Sequence, residues 1–150
     1  MSDVLPTRGR LLAVDLGEVR VGLAVSDPDQ LVASPAETVD VPRDSGVPAL
    51  VRRIGDAATA YEPVGLVVGY PKDLSGREGP AAARARRVAD GLRETTGLPV
   101  VLWDERFSTV EAERVMLAQD ASRATRRRDI DRVAASLILQ GVLESQRTRR

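Results

Sequence analysis

The carboxylates that could do chemistry in this chain stand at the ends of apolar segments. Asp15 follows LLAV and sits two residues before Gly17; Asp104 and Glu105 follow PVVLW; Asp131 lies just past a run of arginines. Taken singly, each has an ordinary explanation. An Asp before a glycine turn is usually a turn residue, and acids at a strand end usually cap the next helix or pair with a neighbour such as Arg106. Neighbours in a strand point to opposite faces, so only one of Asp104 and Glu105 can aim into a given site. Asp131 is expected in the first turn of a helix, where the dipole alone favours an acid, and Asp129 is its rival. Asp131 also lies three and four residues before Ala134 and Ala135, so it stacks over two small side chains that allow a close approach to a sheet. Three carboxylates from two strand ends and a helix start could hold two divalent cations about 4 Å apart. Such a pair activates water and stabilises the leaving oxygen of a phosphodiester.

Composition leaves few other routes. The 150 residues contain no cysteine and no histidine. That excludes disulfides, thiolate nucleophiles, cysteine zinc sites, Ser-His and Cys-His pairs, and the usual base at neutral pH. Carboxylates holding Mg2+ or Mn2+ remain, because hard cations prefer oxygen ligands. Formal charge is balanced at 22 basic and 22 acidic residues, and Lys72 is the single lysine. The opening residues MSDVLPTRGR carry no long apolar stretch, and no run approaches the ~18 apolar residues that span a bilayer. A soluble cytoplasmic protein without a membrane partner is expected.

The elements that must position these acids follow from pattern. LLAVDL (11–16) and VGLAVSD (21–27) read as a hairpin, and VASPAETVD (32–40) as a third strand whose Pro35 suggests an edge or a bulge. Val47, Leu50, Val51, Ile54, Ala57, Ala58 and Tyr61 recur at helical spacing before Pro63. VGLVVG (64–69) reads as a buried parallel strand. A helix from Pro80 carries Ala81, Ala85, Val88, Ala89 and Leu92 inward and closes at Gly97. PVVLWDE (99–105) is the fifth strand. Ser108 and Glu111 suggest a capping box for a helix to about Gln119. Residues 120–128 show no period. A last helix over 129–145 is expected to bury Ile130, Val133, Ala134, Leu137, Ile138 and Gly141. The order implies one α/β domain over 1–150, a mixed five-stranded sheet with a three-stranded antiparallel meander and parallel strands, flanked by helices, with loose ends at 1–9 and 146–150.

Four segments now fall together: DLGEVRVGLAVSD (15–27), VVGYPKDLSG (67–76), DERFST (104–109) and DRVAASLILQGVLES (131–145). In this order they resemble the YqgF/RuvX family of RNase H-like nucleases, over almost the whole chain. The resemblance implies an RNase H-like fold related to the RuvC-type Holliday-junction resolvases. It also implies processing of the 5′ end of precursor 16S ribosomal RNA, a role proposed for the family. On that basis Asp15, Glu105 and Asp131 occupy the catalytic, metal-binding positions, and Arg20 and Arg106 fall in the same motifs. Glu18-Val19 and Leu74 depart slightly from the family pattern without touching the acids.

Nucleic acid is the expected partner. Arg123, Arg126, Arg127 and Arg128 lead into Asp131, and Lys72 follows the second motif. Phosphate contacts dominate nucleic-acid affinity. Aromatic residues are few: Tyr61 and Trp103 read as core, Phe107 as packing, so stacking on single-stranded bases is poorly supported. The substrate divides between precursor 16S rRNA, with pre-ribosomal particles as company, and a four-way DNA junction, whose two cuts would require a homodimer. A sugar-kinase-like ATPase shares the Asp-x-Gly hairpin but needs two such domains. A non-enzymatic ribosome-assembly module is the remaining alternative.

Overall fold

The computed structural model describes residues 4–41, 46–70, 79–105 and 123–149, with the backbone alone for 123–130. Five strands, β1 (Leu11–Leu16), β2 (Arg20–Ser26), β3 (Ala33–Asp40), β4 (Gly65–Tyr70) and β5 (Val100–Asp104), form one sheet in the order β3-β2-β1-β4-β5. β1–β2 and β2–β3 are antiparallel; β1–β4 and β4–β5 are parallel. Three helices cover it: α1 (Val47–Thr59), α2 (Pro80–Thr96) and α3 (Arg123–Arg147). The mixed α/β sheet expected from the pattern is therefore the one observed.

Alternation sorts the side chains into two cores. Leu12, Val14, Val21, Leu23, Leu66, Val68 and Val100 face α1 and α2; Leu11, Ala13, Ala24 and Val67 face α3. β1 and β4 are apolar on both faces because both faces are covered. β3 lies at the edge, and the register shifts at Leu23/Ala24 so that Ala24 meets Pro35. Pro35 thus occupies both settings that tolerate a missing N–H. Gly97 ends α2 in the left-handed conformation, its N–H donating to Arg93 O, as a helix-terminating glycine should.

Three expectations need correction. The last helix begins at Arg123 rather than 129. Its first turns lack an apolar stripe, but arginine is a strong helix former, so backbone preference suffices there. The buried face of α3 runs through Ala134, Ala135, Ile138, Leu139, Val142 and Leu143, with Val133 and Leu137 only partly buried. Residues 133–143 are apolar almost all round, and the sheet chose the face. Ala81 is exposed; Ala82 takes its place inside. The helix expected over 108–119 lies outside the described residues.

Candidate active site

Asp15 belongs to the set Leu11, Ala13, Asp15 on the α3 face of the central strand, and it is only 4% exposed. Glu105 directly follows β5; by the same alternation it shares the α3 face with Val101 and Trp103, while Asp104 shares the opposite face with Leu102. Alternation therefore decides between the two neighbouring acids in favour of Glu105. Asp131 stands more than two turns into α3, not in its first turn. The helix dipole, which falls off within the first turn, no longer accounts for it.

Two glycines seat these acids. Gly22 on β2 pairs with Asp15 on β1. A Cβ built on Gly22 would collide with the Asp131 carbonyl oxygen. Helix α3 therefore touches the sheet backbone beside Asp15, and the buried Ala134 and Ala135 continue that close approach one turn on. On the other flank, Gly69 follows the paired Val68, which puts it level with Asp15. A Cβ there would come within 2.9 Å of both Glu105 Oε1 and Ile138 Cδ1. The Glu105 carboxylate thus leans over β4 towards β1. Gly22, Asp15 and Gly69 form one row across the C-terminal rim of β1 and β4, with Asp131 over one end and Glu105 over the other. Ligands sit at this rim in sheets of this kind.

The donor set is hard oxygen throughout, which suits Mg2+ or Mn2+. The glycines allow the α3 backbone and the Glu105 carboxylate to come close to the strands. The described residues contain no group of three or more acids close enough to hold one ion. The acids are set along the row, then, rather than closed around a single cation. Asp15, Glu105 and Asp131 are the residues that would hold a divalent cation there. A bound divalent cation supplies charge stabilisation at a phosphoryl oxygen and a water of lowered pKa.

Arg20 opens β2 in register with Asp40, and alternation puts it on the same face as Gly22 and Asp15. Lys72 and Arg106 lie outside the described residues. Arg123, Arg126, Arg127 and Arg128 lie on the first turns of α3, upstream of Asp131, and their side chains are likewise outside the description. Phe107 is also beyond it. Tyr61 and Trp103 pack against the two cores, partly buried. The Tyr61 hydroxyl donates to Glu37 Oε1 at 3.1 Å, and burial, reinforced by that carboxylate, pushes the phenol above its ordinary range.

Sequence reasoning missed two contributors. Gly69 was hidden in an apolar run, although a glycine inside a strand is a signal for close approach. Arg84 on α2 donates from Nη1 to Gly17 O at 2.8 Å, across 67 residues, and no spacing rule reveals that. The hairpin tip is closed by Gly17 N–H donating to Arg20 O at 2.9 Å, and a Cβ at Gly17 would strike that same oxygen.

Comparisons with known proteins bear on the fold and the family. A protein from Streptomyces coelicolor named "Putative pre-16S rRNA nuclease" is 47% identical over 141 residues, covering 93% of this chain and 83% of its own. One of the same name from Geobacillus kaustophilus is 45% identical over 138 residues, covering 92% and 99%. Among solved structures, the fowlpox virus Holliday junction resolvase superposes with a TM-score of 0.57 at 14% identity, over 91% of this chain and 99% of that one. Thermus thermophilus RuvC in complex with a Holliday junction substrate gives 0.54 at 16%, over 92% and 95%. At those identities the likeness shows a shared RNase H-like fold. The family model described as "RuvX: Holliday junction resolvase" matches residues 9–145, and the chain belongs to this RuvX family of resolvase-like nucleases.

Proposed function

We propose that this chain is a cytoplasmic, divalent-cation-dependent nuclease that trims the 5′ end of precursor 16S rRNA, using Asp15, Glu105 and Asp131. The observation that carries the reading is the row Gly22, Asp15, Gly69, flanked by Asp131 and Glu105 on one face of the sheet. Asp15 is an acid held nearly buried at the centre of that row. Catalysis is then positioning and charge stabilisation. Asp15, Glu105 and Asp131 would hold the cation, which would supply the activated water, and hydrolysis would leave a 5′-phosphate and a 3′-hydroxyl. The relatives named for pre-16S rRNA support the RNA substrate. Among the described residues no helix is long and apolar enough to cross a membrane.

A second reading, resolution of four-way DNA junctions, is favoured by the family description and the RuvC-like fold. It requires two coordinated cuts and hence a dimer. One experiment separates the readings. Purified protein is offered a labelled precursor 16S RNA and a labelled four-way junction, with Mg2+, with Mn2+ and with EDTA. Metal-dependent cutting of the RNA alone supports the proposal. Symmetric cutting of the junction alone replaces it with the second reading. No cutting of either, with binding retained, points to the assembly-factor alternative.

A further inference from the structure

Arginine is normally neutralised where it is held in place, as Arg93 is by Asp90 at 2.6 Å. Two arginines at the rim are not. Arg84 is half-buried and anchored by a single hydrogen bond to Gly17 O. Arg20 flanks the same hairpin and faces Asp40 in register. Among the described residues, neither makes an ion pair, although acids crowd this end of the sheet. A guanidinium carries five N–H donors, so the carbonyl uses one and fixes the plane of the fork. What remains is a positioned cation with open donors, anchored at Gly17, two residues along the chain from Asp15. That geometry matches a phosphate oxygen pair, which planar guanidinium recognises in bidentate fashion.

We propose that Arg84 is a phosphate contact for the substrate backbone, reaching the hairpin from the α1/α2 face while Arg20 approaches from the α3 face. The nucleic-acid strand then crosses the rim over Gly17 and is gripped on both sides of the sheet. This rests on the nuclease reading for its ligand class, but it concerns binding rather than cleavage.

The test is fluorescence anisotropy in EDTA, where cleavage is blocked, using a fluorescein-labelled RNA carrying the 5′ end of precursor 16S rRNA. Arg84→Ala should weaken binding about tenfold and make the slope of log affinity against log salt shallower by about one. Arg84→Lys, which keeps charge without the fork, should fall between. Arg53→Ala, an equal charge loss on the exposed face of α1, should leave both unchanged. If Arg84→Ala lowers melting temperature while affinity and salt slope stay at wild-type values, Arg84 is only a strut for the hairpin and the proposal is overturned. An equal effect from Arg53→Ala would also overturn it, because net charge would then explain the loss. A wild type that binds but never cuts would sink the nuclease reading while leaving the Arg84 contact standing.

Discussion

The two ends of the sheet are built on opposite rules. At the base, polar groups are buried and matched. Gln30, wholly buried, donates to Pro6 O at 2.9 Å and Gly9 O at 3.0 Å. Gln146 donates to the same Pro6 O at 2.8 Å, and Arg149 donates to Gln146 Oε1. Leu11 N–H donates to Ser26 Oγ at 2.9 Å. Asp27 collects the N–H groups of Leu31 and Val32 on one oxygen. This network ties the segment before β1 to the end of α3, so Leu5 and Pro6 are packed although that end reads as loose in sequence. At the rim the rule reverses. Acids gather along one row, Arg20 and Arg84 make no ion pair among the described residues, and Gly22 and Gly69 let the α3 backbone and Glu105 pack where a side chain would clash. The base is arranged for stability and the rim for a charged ligand. The cost of such a rim has to be offset elsewhere in the fold.

That contrast can be broken by substitution, and the largest effect should come from the rim. Asp15→Asn keeps size and shape while removing the charge. Cleavage of the precursor RNA is expected to fall on the order of 10³-fold, a barrier rise of about 4 kcal/mol. The melting temperature should stay close to the wild-type value, since Asn keeps the size and shape of the side chain. A variant that cuts at the wild-type rate would remove Asp15 from the chemistry. Gly22→Ala comes next and should damage both properties. The new methyl drives α3 off the sheet at the Asp131 carbonyl, costing about 1–3 kcal/mol as overpacking does, and Asp131 moves with it. Loss of stability without loss of activity per folded molecule would show that the Gly22 seat does not set the position of Asp131.

At the base the expected pattern inverts. Gln146→Ala strands the partners of a buried amide and should cost about 1–3 kcal/mol in urea unfolding, with turnover per folded molecule unchanged. A selective fall in turnover would contradict the division between the two ends. The smallest effect concerns Asp27. Hydrogen bonding from Val32 N–H, opposed by slight burial and helped by Leu31, holds its carboxyl below the ordinary 3.8. A depressed folded pKa contributes stability above the unfolded value and loses it as pH falls through the folded one. Asp27→Asn should therefore flatten the decline in urea midpoint below about pH 4. Because the side chain is largely solvated, the change should be only just measurable. An unchanged acid limb would mean that other carboxylates govern it.

Much of this was legible from residue order alone, for reasons visible at particular positions. The strands were readable because β1 and β4 must be apolar on both faces. Pro35 announced an edge because proline has no N–H to pair. The two-residue period showed that only one of Asp104 and Glu105 can face a given site, and the choice of Glu105 came from the family resemblance. The start of α3 was not readable, because an arginine-rich helix carries no apolar stripe to betray it.

By itself the sequence determined the kind of chemistry. Without histidine or cysteine, acids holding a hard cation are the natural remaining option, and the order of apolar runs determined that Asp15 and Glu105 end strands of one sheet. Only the tertiary structure decided how those acids are brought to one rim. Residues 133–143 are apolar almost all round, and the face used is the one that packs on the sheet beside Asp15, where Gly22 and the buried Ala134 and Ala135 allow the α3 backbone to come close. Arg84 reaches Gly17 across 67 residues. No local pattern encodes such a contact, because it exists only once α2 has packed against the sheet.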